Sequence, residues 1–357
     1  MSSFKFILFS NCVITKGSAK IVIQDLQLNQ WYELPLNVLE GIEILESKSL
    51  HEIGLNFNLE EVEILEYYLD FLLKSELGFV TDVPKYAFTS LELIWDSPYK
   101  ITNLIVNLSN LNVNFDKFIP FQIQNLTIIC DEKIEFNNKV FQCDPQSIYL
   151  VLNYSKNWRQ IVKKYLCCFK NVSLVIINNS EIERDFITVH YVLKFTKKYS
   201  DKSIFSFEIS NQLFLESQRY HTYFNRKLYI GIDGEIKNAF ECFETFGNIN
   251  EIKTPEKFEQ IISAPDFQKY WFVNKEITDI CKDCEFRHMC VDNRLPYQRV
   301  ESEWYHKIDC NYNPYIAKWK GEEGYQTLEE CGVISNEHGF SINYKKIAKI
   351  NAVLWDE

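Results

Sequence analysis

The stretch Ile148-Tyr-Leu-Val-Leu152, then Trp158-Arg-Gln-Ile-Val-Lys-Lys-Tyr-Leu-Cys-Cys-Phe169, then Val172-Ser-Leu-Val-Ile-Ile177 decides the fold class. The outer two segments are short apolar runs, as strands of a buried sheet are. The middle segment puts Trp158, Ile161, Val162, Tyr165, Leu166 and Phe169 on one helical stripe. Strand, helix, strand in that order predicts a parallel βαβ unit, hence an α/β chain.

Working outward, strands are expected at Ile101–Leu108, Leu126–Cys130, Ile204–Ile209 and Lys227–Ile232. Helices are expected at Ile187–Tyr199 and Gln212–Tyr223. The early units are short and irregular, so residues 100–226 read as a worn, partial (β/α) barrel. Residues 1–82 read as a separate α+β unit of three strands and three helices. The strands are Phe4–Phe9, Lys20–Gln24 and Gln30–Leu34. The helices are Pro35–Leu45, Ser49–Leu55 and Leu59–Leu77. Ser49 and Glu52 form a capping box, and Gly78 ends the last helix. Asp82–Pro84 reads as a linker. Residues 227–357 form a third unit. It opens with a hairpin turning at Asp233-Gly234, continues through a helix at Pro255–Ser263, and ends in a tail rich in aromatics. A length of 357 residues fits two or three domains.

Thirty-eight Lys and Arg against 49 Asp and Glu leave a net charge of -11, which opposes phosphate-backbone binding. No nucleic-acid partner is expected. No apolar run approaches the roughly 18 residues of a membrane span, and the start lacks the pattern of a signal peptide. A cytoplasmic location follows as an expectation, and there eleven cysteines should be thiols or metal ligands. Six are scattered and read as small buried hydrophobes: Cys12, Cys130, Cys143, Cys167, Cys168 and Cys331. The remainder include Cys281-Lys-Asp-Cys284-Glu-Phe-Arg-His-Met-Cys290, with Cys310 twenty residues on. Two thiols three apart can chelate one centre from a single turn, and two more complete a set of four. Such a set holds an iron–sulfur cluster or tetrahedral zinc. His288 and His306 lie nearby and read as supporting residues.

The run Tyr229-Ile-Gly-Ile-Asp-Gly-Glu-Ile236, then Cys242, Phe246-Gly-Asn-Ile249, the C-x2-C-x5-C segment and Cys310 resembles the SPASM domain. SPASM domains follow the radical S-adenosylmethionine barrel in enzymes that modify ribosomal peptides. The resemblance implies that Cys281, Cys284, Cys290 and Cys310 bind one [4Fe–4S] cluster, with zinc as the alternative. It also makes Cys242 the remnant of a second site, since a further family cysteine is replaced by Arg294. The C-x3-C-x2-C loop of radical enzymes is absent: Ser109-Asn-Leu-Asn-Val-Asn-Phe115 follows the first barrel strand. S-adenosylmethionine is therefore not an expected cofactor.

The three strands and three helices of residues 1–82, ending Tyr68-Leu-Asp-Phe-Leu-Leu-Lys-Ser-Glu-Leu-Gly-Phe-Val80, resemble a RiPP precursor recognition element, a winged-helix module. This implies that a leader peptide adds a strand along Gln30, Trp31, Tyr32, Glu33 and Leu34 and lies against Tyr68 and Leu72. Over its whole length the chain is similar to the SPASM-domain maturases of grasp-with-spasm systems. That similarity implies a ribosomal precursor peptide and an ATP-grasp ligase as partners.

Two functions compete on these residues. One is a non-catalytic maturation factor. The other is a peptide-modifying enzyme working through the cluster or through Cys242, which would need an exposed thiol of lowered pKa. The six histidines form no H-x3-H or HExxH motif, and there is no Gly-x-Ser-x-Gly elbow.

Overall fold

A computed structural model describes residues 4–109, 121–130, 145–168, 170–181, 185–188, 190–196, 205–300 and 302–355. The expected βαβ unit is present. Strand β8 (Ser147–Asn153), helix α4 (Trp158–Cys168) and strand β9 (Val172–Asn178) follow in order, and the two strands are parallel. Val162 and Tyr165 of α4 are buried against the sheet. Phe169 lies outside the described residues.

That unit belongs to an eight-stranded sheet. Its members are β6 (Ile101–Asn107), β7 (Ile123–Cys130), β8, β9, β10 (Asp185–Ile187), β11 (Val192–Phe195), β13 (Lys227–Ile230) and β14 (Ile236–Lys237). The order is β10-β11-β9-β8-β7-β6-β13-β14. The six inner strands run parallel, and only the two terminal ones are antiparallel to their neighbours. Leu104, Val106, Leu126, Ile128, Leu150, Leu152, Val175 and Ile177 are buried along its centre. Helix α6 (Pro255–Ile262) adds Phe258 and Ile262 to this core. It starts at the expected proline, with Thr254 capping Lys257. Gly234 takes φ +84 in the expected hairpin turn between β13 and β14.

One expectation fails in this region and two are met in part. The described part of Ile187–Tyr199 is extended: β10 and β11 pair with each other, and β11 lies parallel to β9. Val192-Leu-Lys-Phe195 alternates in burial, which suits a sheet margin better than a helix. The strand expected at Ile204–Ile209 forms only as β12 (Phe205–Phe207), and Ile204 lies outside the described residues. It leaves the large sheet to pair with β15 (Cys290–Asp292) of the cysteine region. The helix expected at Gln212–Tyr223 is the shorter α5 (Asn211–Ser217), capped by Ser210. Hydrogen-bonded pairing thus crosses the expected boundary at 226/227 in both directions.

The N-terminal unit is a three-stranded antiparallel sheet covered by helices. Strands β2 (Cys12–Lys16), β3 (Lys20–Asp25) and β4 (Gln30–Pro35) pair in the order β2-β3-β4. Helices α1 (Asn37–Ser47), α2 (Leu50–Asn56) and α3 (Leu59–Lys74) follow. The Ser49–Glu52 capping box is formed. Strand β2 was not foreseen. The first expected strand, seen as β1 (Lys5–Leu8), pairs instead with β5 (Gly78–Thr81), so Gly78 opens a strand rather than simply ending a helix. Phe6, Ile21, Ile23, Ile42, Leu65 and Leu72 close this core. Each such side chain contributes roughly 1.5–3 kcal/mol on burial.

The C-terminal tail is built from small hairpins and short helices. They are β16 (Pro296–Val300) with β17 (Glu303–His306), β18 (Tyr312–Asn313) with β19 (Lys318–Trp319), α7 (Leu328–Cys331), β20 (Val333–Asn336) with β21 (Gly339–Ile342), and α8 (Tyr344–Trp355). Among the described residues no helix is long and apolar enough to cross a membrane.

Candidate metal centre

Cys281 and Cys284 sit on a single tight turn, Cys281–Asp283, closed by the Cys284 amide donating to the Cys281 carbonyl at 3.0 Å. Ile280, just before it, takes φ 68. A β-branched residue in that region costs about 1–3 kcal/mol, and such strain collects at functional sites. Cys290 begins β15, where pairing with β12 holds it in extended backbone. Cys310 comes back on the loop after β17. The four cysteines line one cavity, together with Arg294 and His306. The sequence-predicted ligand set is therefore brought together.

The electrostatics are those of a site that gathers negative charge. Asp292 is fully buried, and Arg294 holds it through Nε at 3.1 Å to Oδ1 and Nη2 at 2.6 Å to Oδ2. Lys275 lies 3.5 Å from the same carboxylate. Burial alone would raise the Asp292 carboxyl, but Lys275 and Arg294 override it and hold the group well below its ordinary value. Burial likewise opposes the Lys275 ammonium, and Cys290, Asp292 and Cys281 reverse that and raise it. Two buried cations face one carboxylate and four thiols. Arg294 Nη2 also lies 4.0 Å from the Cys281 sulfur. Beyond its ion pair with Asp292, the buried Lys275 ammonium donates no hydrogen bond among the described residues, and its free N–H groups suit an anionic group in the cavity.

The thiols of Cys284, Cys290 and Cys310 are held in their neutral form by burial. Burial pushes Cys290 up to about 12 and raises Cys284 and Cys310. Against that, the backbone amides of Phe286 and Tyr312 hydrogen-bond to Cys284 and Cys310 and favour their thiolates. A buried thiolate set of this kind is stable only when a cation supplies the compensating charge.

The donor atoms of Cys281, Asp292 and His306 lie within 4.8 Å of one another, close enough to share one metal ion. His306 is neutral, since burial lowers it to about 3. Its Nδ1 donates to the Leu295 carbonyl at 3.2 Å, which leaves the Nε2 lone pair facing this group. Asp292 is committed to two buried cations, so using it as a ligand would strand both. Asp292 and Lys275 were missed from the sequence. Asp292 carried a readable signal, because residues two apart in a strand share a face and Cys290 is a ligand candidate. Lys275 carried none.

The remaining sequence candidates divide. Cys242 is buried among Phe224, Tyr270, Val273 and Trp304. Burial, with Glu244 and Glu241 nearby, pushes its thiol up to about 12. It meets neither condition for a nucleophile. Cys12, Cys130 and Cys331 are buried as expected, but Cys167 is exposed because it lies off the apolar stripe of α4. Cys143 and the Cys168 side chain lie outside the described residues, as does most of the loop after β6.

Gln30, Trp31, Tyr32, Glu33 and Leu34 all lie on β4, the terminal strand of its sheet. Tyr32 meets Phe71 of α3 edge-on at 5.9 Å, and Trp31 lies 6.3 Å from Phe207. Tyr68 is half-buried. Leu72 corrects the expectation: it is fully buried in the core and cannot touch a peptide. The face of α3 beside β4 carries Phe71, with exposed Tyr67 and Ile64 at helical spacing from it.

The two lobes are in direct contact. The Ser18 amide donates to the Asp283 carbonyl at 2.8 Å, and Arg287 Nη1 donates to the Lys16 carbonyl at 2.7 Å. Val22 packs against Phe286 and Met289. The β2–β3 turn therefore rests on the Cys281–Cys290 segment. On the outer side, Cys310 and Arg294 also line a wide cleft walled by Phe240, Phe243, Tyr297 and Ile308. No family model and no curated protein matches this chain.

Proposed function

We propose that the chain is a maturation factor for a ribosomally made peptide. In this reading the winged-helix-like N-terminal unit captures the precursor leader as an added strand on β4. The large sheet is the remnant of a degenerate, partial radical-enzyme barrel kept as a scaffold. The cysteine lobe is a SPASM-like domain whose Cys281, Cys284, Cys290 and Cys310 hold one [4Fe–4S] cluster. The captured precursor is presented to an ATP-grasp ligase.

One observation carries the reading: the small sheet whose terminal strand is β4 rests, through its β2–β3 turn, on the segment that bears Cys281 and Cys284. Iron–sulfur is preferred to zinc here on the SPASM resemblance alone, since four thiolates suit either metal. A cluster, when bound, would supply a fixed anionic core and a redox centre. The residues' own roles are to ligate it, balance its charge through Lys275 and Arg294, and wall it from water.

The test has two arms. Anaerobically purified protein should contain about four iron and four sulfide per chain, and stoichiometric zinc would refute the cluster. A pull-down with a candidate leader and its ligase should recover both with the full chain. Failure of leader capture would refute the maturation role. A second reading, chemistry on the peptide by the cluster, is favoured by the open cleft at Cys310. The enzyme reading through Cys242 has no support, given its burial.

A further inference from the structure

Two cations sit inside the metal centre, and they are not equivalent. Arg294 is committed to the protein itself. Its Nε donates to Asp292 Oδ1 at 3.1 Å, its Nη2 to Asp292 Oδ2 at 2.6 Å, and its Nη1 to the Ile308 carbonyl at 2.8 Å. Lys275 is not. Its side chain is 6 % exposed, its Nζ lies 3.5 Å from Asp292 Oδ2, and it donates no hydrogen bond among the described residues. An ammonium carries three donors, and burial without partners for them is costly. The chain nevertheless fixes this residue in place. Asn274 Nδ2 donates to the Gln218 carbonyl at 2.9 Å, and Thr278 Oγ1 donates to the Asn274 carbonyl at 2.9 Å. Glu276 accepts from Arg287 Nε at 2.6 Å and lies 3.1 Å from His288 Nε2. The turn Lys275–Ile277 is thus tied to the segment between Cys284 and Cys290.

Lys275 lines the same cavity as the four cysteines. Burial opposes its charge, and among the groups that favour it Cys290 comes first, ahead of Asp292 and Cys281. We infer that Lys275 directs its free N–H groups at the sulfurs of the cluster and sets its reduction potential, while Arg294 holds the fold of the site. This rests on the cluster reading above and adds the residue that tunes it. The reason is electrostatic. One added electron makes the cluster more negative, so a cation beside it stabilises the reduced form more than the oxidised form. The effect is strong because the ammonium is buried, where water screens it little.

The experiment uses the full chain, purified anaerobically, with iron and sulfide assayed first. Dithionite supplies one electron per cluster, and the midpoint is read from the EPR signal of the reduced form. Lys275→Met removes the charge and the donors but leaves Asp292 paired with Arg294, so the variant should keep its fold and its iron. Its cluster should be at least about tenfold harder to reduce, a fall of about 59 mV or more for one electron. Lys275→Gln, which keeps N–H donors without the charge, should fall between. Lys282→Met should leave the midpoint unmoved, because that ammonium is 37 % exposed and lies 3.0 Å from Asp279. An unmoved midpoint in iron-loaded Lys275→Met overturns the inference and leaves the cluster reading standing. An equal fall in Lys282→Met overturns it too, since position would then not matter. If Lys275→Met fails to retain iron, an unmoved midpoint in Lys275→Gln overturns it equally. Stoichiometric zinc or no metal in the parent overturns the cluster reading and this inference together.

Discussion

The large parallel sheet and the cysteine lobe are held together by opposite means. The sheet buries leucine, isoleucine and valine along six parallel strands, and among the described residues of those strands the buried charge is confined to Lys227 at the start of β13. The cysteine lobe buries Lys275, Asp292, Glu285 and His288, and its thiols are brought together without being bonded to one another. Tyr312 donates to Glu285, Tyr315 donates to Asp283 at 2.6 Å, and Arg299 reaches Asp279 at 2.6 Å. An apolar core carries its own stability. A buried polar network is stable only while every charge is matched. On the proposed metal reading, the lobe should depend on the bound group, and the sheet should not.

Metal removal should break the comparison most widely. Chelation, or Cys281→Ser with Cys284→Ser, should unfold the region from about residue 275 onward, because binding energy at such sites is folding energy. Hydrogen exchange should show β6 to β9 still protected. Equal loss in both regions would show that they are one cooperative unit. Next in size is Asp292→Asn. It leaves two buried cations facing each other and should cost about 3–5 kcal/mol, measured by denaturant titration. Leu150→Ala in the sheet should cost a similar amount, about 2–5 kcal/mol, by opening a cavity. The two differ in one respect: only the Asp292 variant should change metal content.

The contrast also explains what could be read in the sequence. The βαβ unit was legible because apolar period alone builds it, as Val162 and Tyr165 of α4 show. The capping box at Ser49 and the turn at Gly234 were legible because each depends on a few adjacent residues. The cysteine spacing was legible because Cys281, Cys284 and Cys290 lie within ten consecutive residues. Pairing at a distance was not. Nothing local tells that β1 joins β5, or that Val192–Phe195 is drawn into a strand by β9. Leu72 lay on the apolar stripe of α3, but period alone does not say which neighbours cover the stripe. Lys275 joins the metal centre only through the fold, so its partner Asp292 could be suspected while it could not.

A pH experiment sharpens the boundary between the regions. Glu216, on α5, is buried where the sheet meets the lobe and accepts from Asn225 at 2.7 Å. The neighbouring Ser217 lies 2.9 Å from His288 Nδ1. Burial raises the Glu216 carboxyl to about 7, although Asn225 and Arg226 partly oppose this. The folded state therefore holds its proton more tightly than the unfolded chain, and stability from this group falls as pH rises from about 4.5 to 7. Glu216→Gln should become more stable than the parent by about 2–3 kcal/mol at pH 8, with little difference at pH 4.5. An equal difference at both values would show that packing, and not the proton, is responsible.

The smallest effect tests the seam between the N-terminal unit and the metal turn. Gly17 lies so close to Glu285 that an added methyl group would strike its side chain and its backbone nitrogen. The Glu285 backbone cannot yield easily, because the same segment carries Cys284 and receives Ser18 through Asp283. Gly17→Ala should cost about 1–2 kcal/mol as local overpacking. The loss should be confined to the seam: faster exchange at Ser18, with the α1–α3 core and β6–β9 unchanged. If the centre and the hairpin move as one body, the variant should also loosen metal retention in a chelator challenge. Unchanged retention with faster Ser18 exchange would show that the two lobes touch without being coupled.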